Sequence, residues 1–296
     1  MVDTPQRICD YEGSDYRTDF WEGQGRDYED RVERQMLRQL LPQSGQRLLE
    51  IGAGFGRLTA EYQAYEQVVL LDYSFSQLQY ARERLGDERY LYVAADAYHL
   101  PFKPAVFDAA TMIRVLHHFE NVPAVFNSIH QVLCDKAYFI LEYANKHNLK
   151  ARLRYRMGRQ RWNPNVLDPV EFVDLNYNFH PAYIDEELAN SGFENEARIP
   201  VSFFRVALLK KYVPTHLLAS LDALMQRSGW MVAPSIFTKN IVNNAAENQV
   251  QLTATEIFAC PQTGSDLQHE GDFLINAQGM RWQIRDGIYD FKTPVS

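Results

Sequence analysis

A chain of 296 residues, 46% hydrophobic and 23% charged, is long enough for one large α/β domain with an ample core plus a smaller appendage, and its composition is that of a globular rather than a disordered protein. The formal net charge of -8 argues against wholesale coating of nucleic acid, although a local basic patch can still engage phosphate. No window approaches about 18 consecutive apolar residues, the first residues hold no apolar signal core behind a basic start, and Cys9, Cys134 and Cys260 are scattered without a C-x-x-C pair, so a cytoplasmic protein with neither a disulfide framework nor a cysteine-based zinc site is expected.

Residues Tyr28 to Leu41 place Val32, Met36 and Leu40 on one side at helical spacing, with charges between them and Pro42 behind, and read as an amphipathic helix. Arg47 to Ile51 is a short apolar strand running into a glycine-rich turn, and Arg57 to Tyr65 beyond it can be helical. Val68 to Asp72 reads as a second buried strand, Ser76 to Leu85 as a helix, and Tyr90 to Asp96 as a third strand. Val106 to Leu116 follows as a fourth strand, Pro123 to Leu133 as a helix, and Ala137 to Tyr143 as a fifth strand. Strands alternating with helices over short links predict a parallel sheet covered on both faces, hence a doubly wound α/β fold.

After Tyr143 the rhythm breaks. Lys146 to Arg161 carries seven Lys or Arg residues and no acid, with Leu149, Leu153 and Met157 spaced four apart. Such a segment serves as a lid, a clamp for an acidic substrate, an RNA contact or a helix lying on anionic lipid, and a solvated basic face is the plain alternative. The pattern resumes with Pro181 to Phe193 as a helix, Glu196 to Val206 as a strand, Pro214 to Arg227 as a helix, and a last strand ending at Val242. Asn243 to Gln249 is polar and non-periodic and makes the best linker. The expected division is therefore a domain over 1–245, with 146–180 inserted as a cap, and a small β-rich unit over 251–296.

Glu50 precedes Gly52, Gly54 and Gly56 at two-residue intervals between a predicted strand and helix. Glycines there let the backbone turn sharply and let a ligand approach its N–H groups. A dinucleotide fingerprint G-x-G-x-x-G would need glycine at position 57, where Arg57 stands, so a nicotinamide oxidoreductase is disfavoured. Asp72 and Asp96 each fall at the end of a predicted strand, on the carboxyl edge where open α/β sheets bind ligands. The plain alternatives are a tight strand-helix turn without ligand and, for Asp72, a helix N-cap.

With these residues in order, the stretch from about Tyr28 to Tyr143, including Pro101 to Phe119 around the fourth strand, resembles the class I S-adenosylmethionine-dependent methyltransferases, whose first motif is an acidic residue followed by G-x-G-x-G. The resemblance implies a Rossmann-like sheet with S-adenosyl-L-methionine as cofactor. It implies that Asp72 bonds the two ribose hydroxyls, that Asp96 receives the adenine amino group, and that Ala97 lends its backbone N–H to the ring, with Tyr73 and Tyr98 as apolar walls and Arg114 in the same cofactor site. Arg57 pairs either with the methionine carboxylate of the cofactor or with an outward acid.

A sulfonium methyl is already activated, so holding a nucleophile in line supplies much of the acceleration and a general base is optional. His117, His118, Glu142, Tyr143 and His180 are candidates near the methyl, and the sequence does not choose among them. His117 and His118 follow the fourth strand, where many small-molecule methyltransferases have a similar Leu-His-His; equally, they cap the next helix, and His180 is equally a loop residue. An Asn-Pro-Pro-Tyr-type signature of amino-group methylation is lacking. The tail resembles the small zinc-ribbon-like activator of several RNA and translation-factor methyltransferases, through Ala259, Cys260 and Pro261 and through Ile284, Asp286, Gly287 and Ile288; Thr263 stands where zinc-binding members carry a further cysteine, so no metal is expected. The leading expectation is an enzyme that moves a methyl group to an oxygen, carbon or nitrogen nucleophile of a small molecule. An RNA or protein methyltransferase activated in cis by its tail, and an inactive methyltransferase-like partner protein, are the alternatives. Nucleic acid is allowed but not favoured as a partner, and peripheral membrane contact through 146–161 stays open.

Overall fold

Side-chain alternation at a period of two divides the interior into two cores, because neighbouring residues of a strand face opposite sides of the sheet. In β1 (Gly45–Ile51), Leu48 enters one core and Leu49 the other. The structure, a computed structural model, describes residues 7–14, 17–243, 249 and 252–295. Helix α1 (Asp27–Leu40) precedes β1, and β2 (Tyr65–Asp72), α2 (Phe75–Leu85), β3 (Tyr90–Ala94), β4 (Phe107–Met112), α3 (Val122–Val132) and β5 (Leu133–Ala144) follow it. Next come α4 (Leu149–Arg156), the hairpin β6 (Val170–Val173) and β7 (Asn176–Asn178), α5 (Pro181–Asn190), β8 (Phe193–Val201), α6 (Ala207–Tyr212), α7 (Thr215–Gln226) and β9 (Ser235–Val242). Four strands close the chain: β10 (Leu267–Glu270), β11 (Phe273–Asn276), β12 (Arg281–Arg285) and β13 (Ile288–Val295).

The main sheet has eleven strands in the order β10-β11-β12-β13-β3-β2-β1-β4-β5-β9-β8. Strands β3, β2, β1, β4 and β5 are parallel, while β9 runs antiparallel to β5 and β8 antiparallel to β9. Helices α1 and α2 cover one face, packing Val32, Met36 and Leu78 against Leu48, Val68 and Leu70. Helices α3 and α5 cover the other, with Phe126, Ile129 and Ile184 against Leu49, Val69 and Leu71. This is the doubly wound, Rossmann-like sheet, extended by antiparallel strands of the tail. Chain order reverses between β1 and β4, and such a reversal opens a crevice beyond the carboxyl ends of the strands.

Three local departures from the sequence expectation shape that crevice. Arg57 to Tyr65 forms only a single 3-10 turn, Thr59–Glu61, because β2 begins at Tyr65 and leaves too few residues to nucleate a helix. Strand β4 stops at Met112, and Arg114 turns the chain out of the sheet in the left-handed region, at φ 61°. Strand β8 starts at Phe193, earlier than expected, and ends at Val201, where Ser202 turns at φ 65°. Within 146–180 the chain forms α4, whose N-cap Asn148 accepts from the Ala151 N–H, and the β6–β7 hairpin.

The tail joins the main sheet: β13 pairs in parallel with β3, Ile288 opposite Tyr92 and Asp290 opposite Ala94. Phe258 stacks on Phe102 at 5.7 Å and meets Tyr289 at 4.6 Å, anchoring the tail to the loop before β4. Cys260 is buried and its Sγ accepts from the Asn276 amide. Residues 244–248 of the expected linker, and the expected boundary residues 245 and 251, lie outside the described residues. No helix among the described residues is long and apolar enough to cross a membrane.

Candidate active site

The glycine loop turns directly out of β1. The N–H groups of Gly52 and Ala53 both donate to the Leu71 carbonyl, at 2.8 and 3.0 Å, which ties the loop to β2. Gly52 sits at φ +70°, and a Cβ there would lie 2.2 Å from Cγ2 of Val115, so any other residue is strained and forces Val115 to shift. Gly54 sits at φ +51°, but a Cβ there would meet nothing within 4 Å, because that side of the loop is the open crevice. Its N–H donates to Oδ2 of Asp72 at 2.7 Å. The other carboxylate oxygen accepts from the Ser74 N–H at 2.9 Å. Burial pushes the Asp72 carboxyl up, further than these N–H bonds pull it down.

Asp96 follows β3, the neighbour of β2, and its Oδ1 accepts from the Tyr98 N–H at 2.9 Å while Oδ2 meets His99 Nδ1 at 3.1 Å. Asp72, Tyr73, Asp96 and the buried Ala97 line one cleft together with Glu50, Gly52, Gly54, Arg114 and His118. The cleft opens to solvent at its mouth and mixes apolar walls with a few polar groups, as small-molecule sites do. Tyr98 lies just behind this lining, its ring edge on Phe119 and its hydroxyl accepting from the Asn121 N–H at 3.2 Å. Gly56 is also set back, its carbonyl accepting from the Arg84 guanidinium.

Two buried glutamates near the cleft have opposite surroundings. Glu50 accepts from the Thr59 hydroxyl at 2.9 Å and the Tyr62 hydroxyl at 3.2 Å, and burial pushes its carboxyl up to about 7. Burial also opposes the charge of Glu33, but Arg114 and Arg57 outweigh it and hold that carboxyl below its usual range. Arg114 Nε reaches Glu33 at 2.5 Å and Arg57 Nη2 reaches it at 2.6 Å, while Arg57 also pairs with Asp30. The Arg57 guanidinium lies 3.6 Å from the centre of the Trp21 ring. Of the two readings of Arg57, the structure displays the ion pair with acids of α1.

The five candidate bases separate. His118 lines the cleft; its Nδ1 lies 3.0 Å from the Leu175 carbonyl and its Nε2 lies 3.3 Å from the Tyr11 hydroxyl. A carbonyl only accepts, so the proton sits on Nδ1, and Nε2 accepts from Tyr11. Burial lowers the His118 pKa and keeps the ring neutral. The His117 ring lies tilted against it, centres 3.9 Å apart, its pKa pushed well down by burial, by His118 and by Arg114. Glu142 accepts from the Arg114 N–H at 2.9 Å, outside the lining. Tyr143 is buried in the core, where burial pushes its phenol up and its hydroxyl has no hydrogen-bond partner among the described residues. His180 caps α5, its Nδ1 accepting from the Ala182 N–H at 3.2 Å.

One wall of the cleft has no counterpart among the sequence candidates: Ile8, Cys9, Tyr11 and Trp21. Arg7 fastens this segment to Glu120 at 3.2 Å, Glu171 at 3.1 Å and Tyr177 at 2.7 Å. At the other end Glu12 accepts from the Ser76 N–H at 3.2 Å, at the start of α2, where a helix favours an anion. The segment has no periodicity, and its aromatic residues were the one signal available.

Residues 49–141 match the family model described as a methyltransferase domain. Over 77 residues the chain is 42% identical to the demethylmenaquinone methyltransferase of Clavibacter sepedonicus, covering 25% of this chain and 31% of that protein. It is 32% identical over 113 residues to the ubiquinone/menaquinone biosynthesis C-methyltransferase UbiE of Teredinibacter turnerae, covering 35% and 45%, respectively. Against the O-methyltransferase cnsE of Penicillium expansum it is 30% identical over 144 residues, covering 44% and 51%. The chain thus spans about a third to a half of the length of these relatives. An S-adenosylmethionine-dependent methyltransferase from Mesorhizobium loti superposes with a TM-score of 0.51 at 19% identity, over 72% of this chain and 99% of that one. A chain of the complex between the Haloferax volcanii Trm112 methyltransferase activator and the putative methyltransferase does so with a TM-score of 0.53 at 13% identity, over 75% and 95%. These two likenesses concern the fold.

Proposed function

We infer that this protein, whose residues 49–141 match the family model described as a methyltransferase domain, is a class I S-adenosylmethionine-dependent methyltransferase that transfers the methyl group to an oxygen or carbon nucleophile of a small molecule. One observation carries the reading: the carboxylates of Asp72 and Asp96 stand at the ends of adjacent strands in the same cleft as the open side of Gly54. The residues fit the cofactor. Asp72 has lone pairs left to accept from two ribose hydroxyls, Asp96 accepts from the adenine amino group, and Ala97 presents its N–H to the ring, with Tyr73 along one side. Gly54 leaves space that any side chain would fill. Bound there, S-adenosylmethionine supplies a methyl group already activated by its sulfonium charge.

His118 is the group that handles the acceptor's proton. Its Nδ1–H is fixed on the Leu175 carbonyl, so an acceptor hydroxyl that takes the place of the Tyr11 hydroxyl donates to Nε2 and passes its proton there. Tyr11, Trp21 and Phe119 form apolar walls that exclude water and hold a planar acceptor. The C- and O-methyltransferase names of the relatives, and the missing amino-group signature, favour carbon and oxygen over nitrogen.

A second reading makes the acceptor a macromolecule and the tail a built-in activator. It is favoured by the parallel pairing of β13 with β3, which puts the tail on the strand that leads into Asp96 and sets Lys292 5.3 Å from the Tyr73 ring.

Calorimetric titration with S-adenosylhomocysteine, with NADH as control, tests the cofactor. Binding in the wild type, its loss in Asp72→Ala and silence toward NADH are expected; a folded protein that binds neither compound overturns the reading. Methyl transfer to small hydroxylated aromatic compounds, compared with RNA and protein fractions, then decides between the two acceptors.

A further inference from the structure

We propose that α4, α6 and the loop between α7 and β9 form a surface that docks onto an anionic lipid bilayer. Leu149 and Leu153 of α4 with its C-cap Met157, Leu208 and Tyr212 of α6, and Trp230 are each between half and seven-tenths exposed. Helices that pack on a core bury such i, i+4 pairs; these two turn them to solvent. The three pieces meet at one edge of the sheet. Ala144, the last residue of β5, pairs with Ser235, the first of β9, which pairs with Val201, the last of β8. The Leu149 N–H donates to the Val232 carbonyl at 2.9 Å, and the Asn145 amide donates to the Met231 and Ala233 carbonyls, so α4 starts against the loop that carries Trp230. On the other side Arg205, just before α6, bonds Ser235 Oγ at 3.3 Å. Because β5 is parallel to β1, β2 and β3, this is also the edge at which Asp72 and Asp96 stand.

Charge selects the occupant. Lys150, Arg152, Arg154, Arg156, Arg159 and Arg161 are exposed and form no ion pair among the described residues, and no acid interrupts 146–161. This concentration of cation stands in a chain of net charge -8. Cations interleaved with exposed aliphatic residues and a tryptophan suit a bilayer with anionic headgroups, where the charges meet phosphate and the apolar tips enter the interface. An RNA surface would set mainly stacking aromatics among the cations, whereas the basic run exposes Leu149, Leu153 and Met157 beside the single aromatic Tyr155.

The test is sedimentation of the full-length protein with vesicles of phosphatidylcholine and phosphatidylglycerol in equal parts, beside vesicles of phosphatidylcholine alone and a single-stranded RNA oligonucleotide. Binding to the anionic vesicles is expected, weakening as salt rises. Arg152→Gln, Arg154→Gln and Arg156→Gln together are expected to lower the partition coefficient by about fivefold for each charge removed. Leu153→Asp with Met157→Asp is expected to abolish binding, while the melting temperature of both variants stays near that of the wild type. If the aspartate variant unfolds, the arginine set, which leaves the packing untouched, still decides. Absent binding to anionic vesicles, equal binding to neutral ones, binding unaffected by the arginine set, or retention of RNA in their place would each overturn the proposal.

Discussion

Two glycines of the same loop should fail in opposite ways when each is replaced by alanine. Gly54→Ala places a Cβ at φ +51°, which costs about 1–2 kcal/mol of left-handed strain, and the methyl meets no protein atom within 4 Å. The fold tolerates that, but the methyl projects into the space assigned to the cofactor. Gly52→Ala carries similar strain and also drives its Cβ to 2.2 Å from Val115 Cγ2, adding about 1–3 kcal/mol of overpacking. The difference between them, about 1–3 kcal/mol, corresponds to a melting temperature for Gly52→Ala roughly 2–12 °C below that of Gly54→Ala. Calorimetry with S-adenosylhomocysteine supplies the second axis: Gly54→Ala should bind at least about tenfold more weakly, a loss of ~1.4 kcal/mol. Wild-type affinity in Gly54→Ala would refute the placement of the ligand, and equal melting of the two variants would refute the packing argument.

His118→Gln should lower kcat by about a hundredfold or more, while titration with S-adenosylhomocysteine stays unchanged; a pH profile should place the limb set by His118 below the ordinary histidine value, since burial lowers its pKa and the base form is the active one. A kcat limb above that value would point to another base. Glu50 titrates in the folded protein at about 7 against 4.5 unfolded, so it takes up a proton on folding; its contribution is complete below 4.5 and is lost as pH rises through 7, a swing of at most about 3 kcal/mol. Melting curves should therefore show Glu50→Gln gaining on the wild type between pH 5 and pH 8, and a constant gap would rule out the raised pKa. Removing residues 243–296 uncovers the edge of β3 and the face of Phe102 that stacks on Phe258, so the shortened chain should associate on gel filtration and melt lower; a monomer with wild-type melting would show that the tail adds nothing to the sheet.

The central sheet was legible because its signals are local. Each parallel strand is a short apolar run, and the glycines and strand-end acids sit within a few residues of the runs that carry them. Arg57 to Tyr65 misleads for an equally local reason: Leu58, Tyr62 and Tyr65 are all buried and fall at the spacing of a helical stripe, yet Tyr65 already belongs to β2. What the sequence hides is held by distant partners. The wall of Ile8, Cys9 and Tyr11 depends on bonds from Arg7 to residues more than a hundred positions away. The orientation of the His118 ring is set by the Leu175 carbonyl, contributed by the inserted segment. The pairing of β13 with β3 joins two strand edges that no periodicity relates.

The same distant partners bear on which acceptor the cleft takes. Arg57 and Arg114 both approach it, and a cleft with two arginines would ordinarily attract a phosphate or carboxylate. Here α1 answers them: Glu33 lies between the two guanidiniums and Asp30 takes the second side of Arg57. An anionic acceptor would have to compete with a buried carboxylate already 2.5 to 2.6 Å from both cations, and displacing one partner of a buried ion pair is costly, about 3–5 kcal/mol. His118, whose pKa burial lowers, lines the cleft together with the aromatic Tyr11, Trp21 and Phe119. With the two arginines answered by Glu33 and Asp30, the carboxylates of Asp72 and Asp96 remain to meet a nucleoside's hydroxyl and amino donors. On the function proposed above, the other end of the cleft would take an uncharged ring whose hydroxyl or adjacent carbon becomes the nucleophile once its proton has passed to Nε2 of His118.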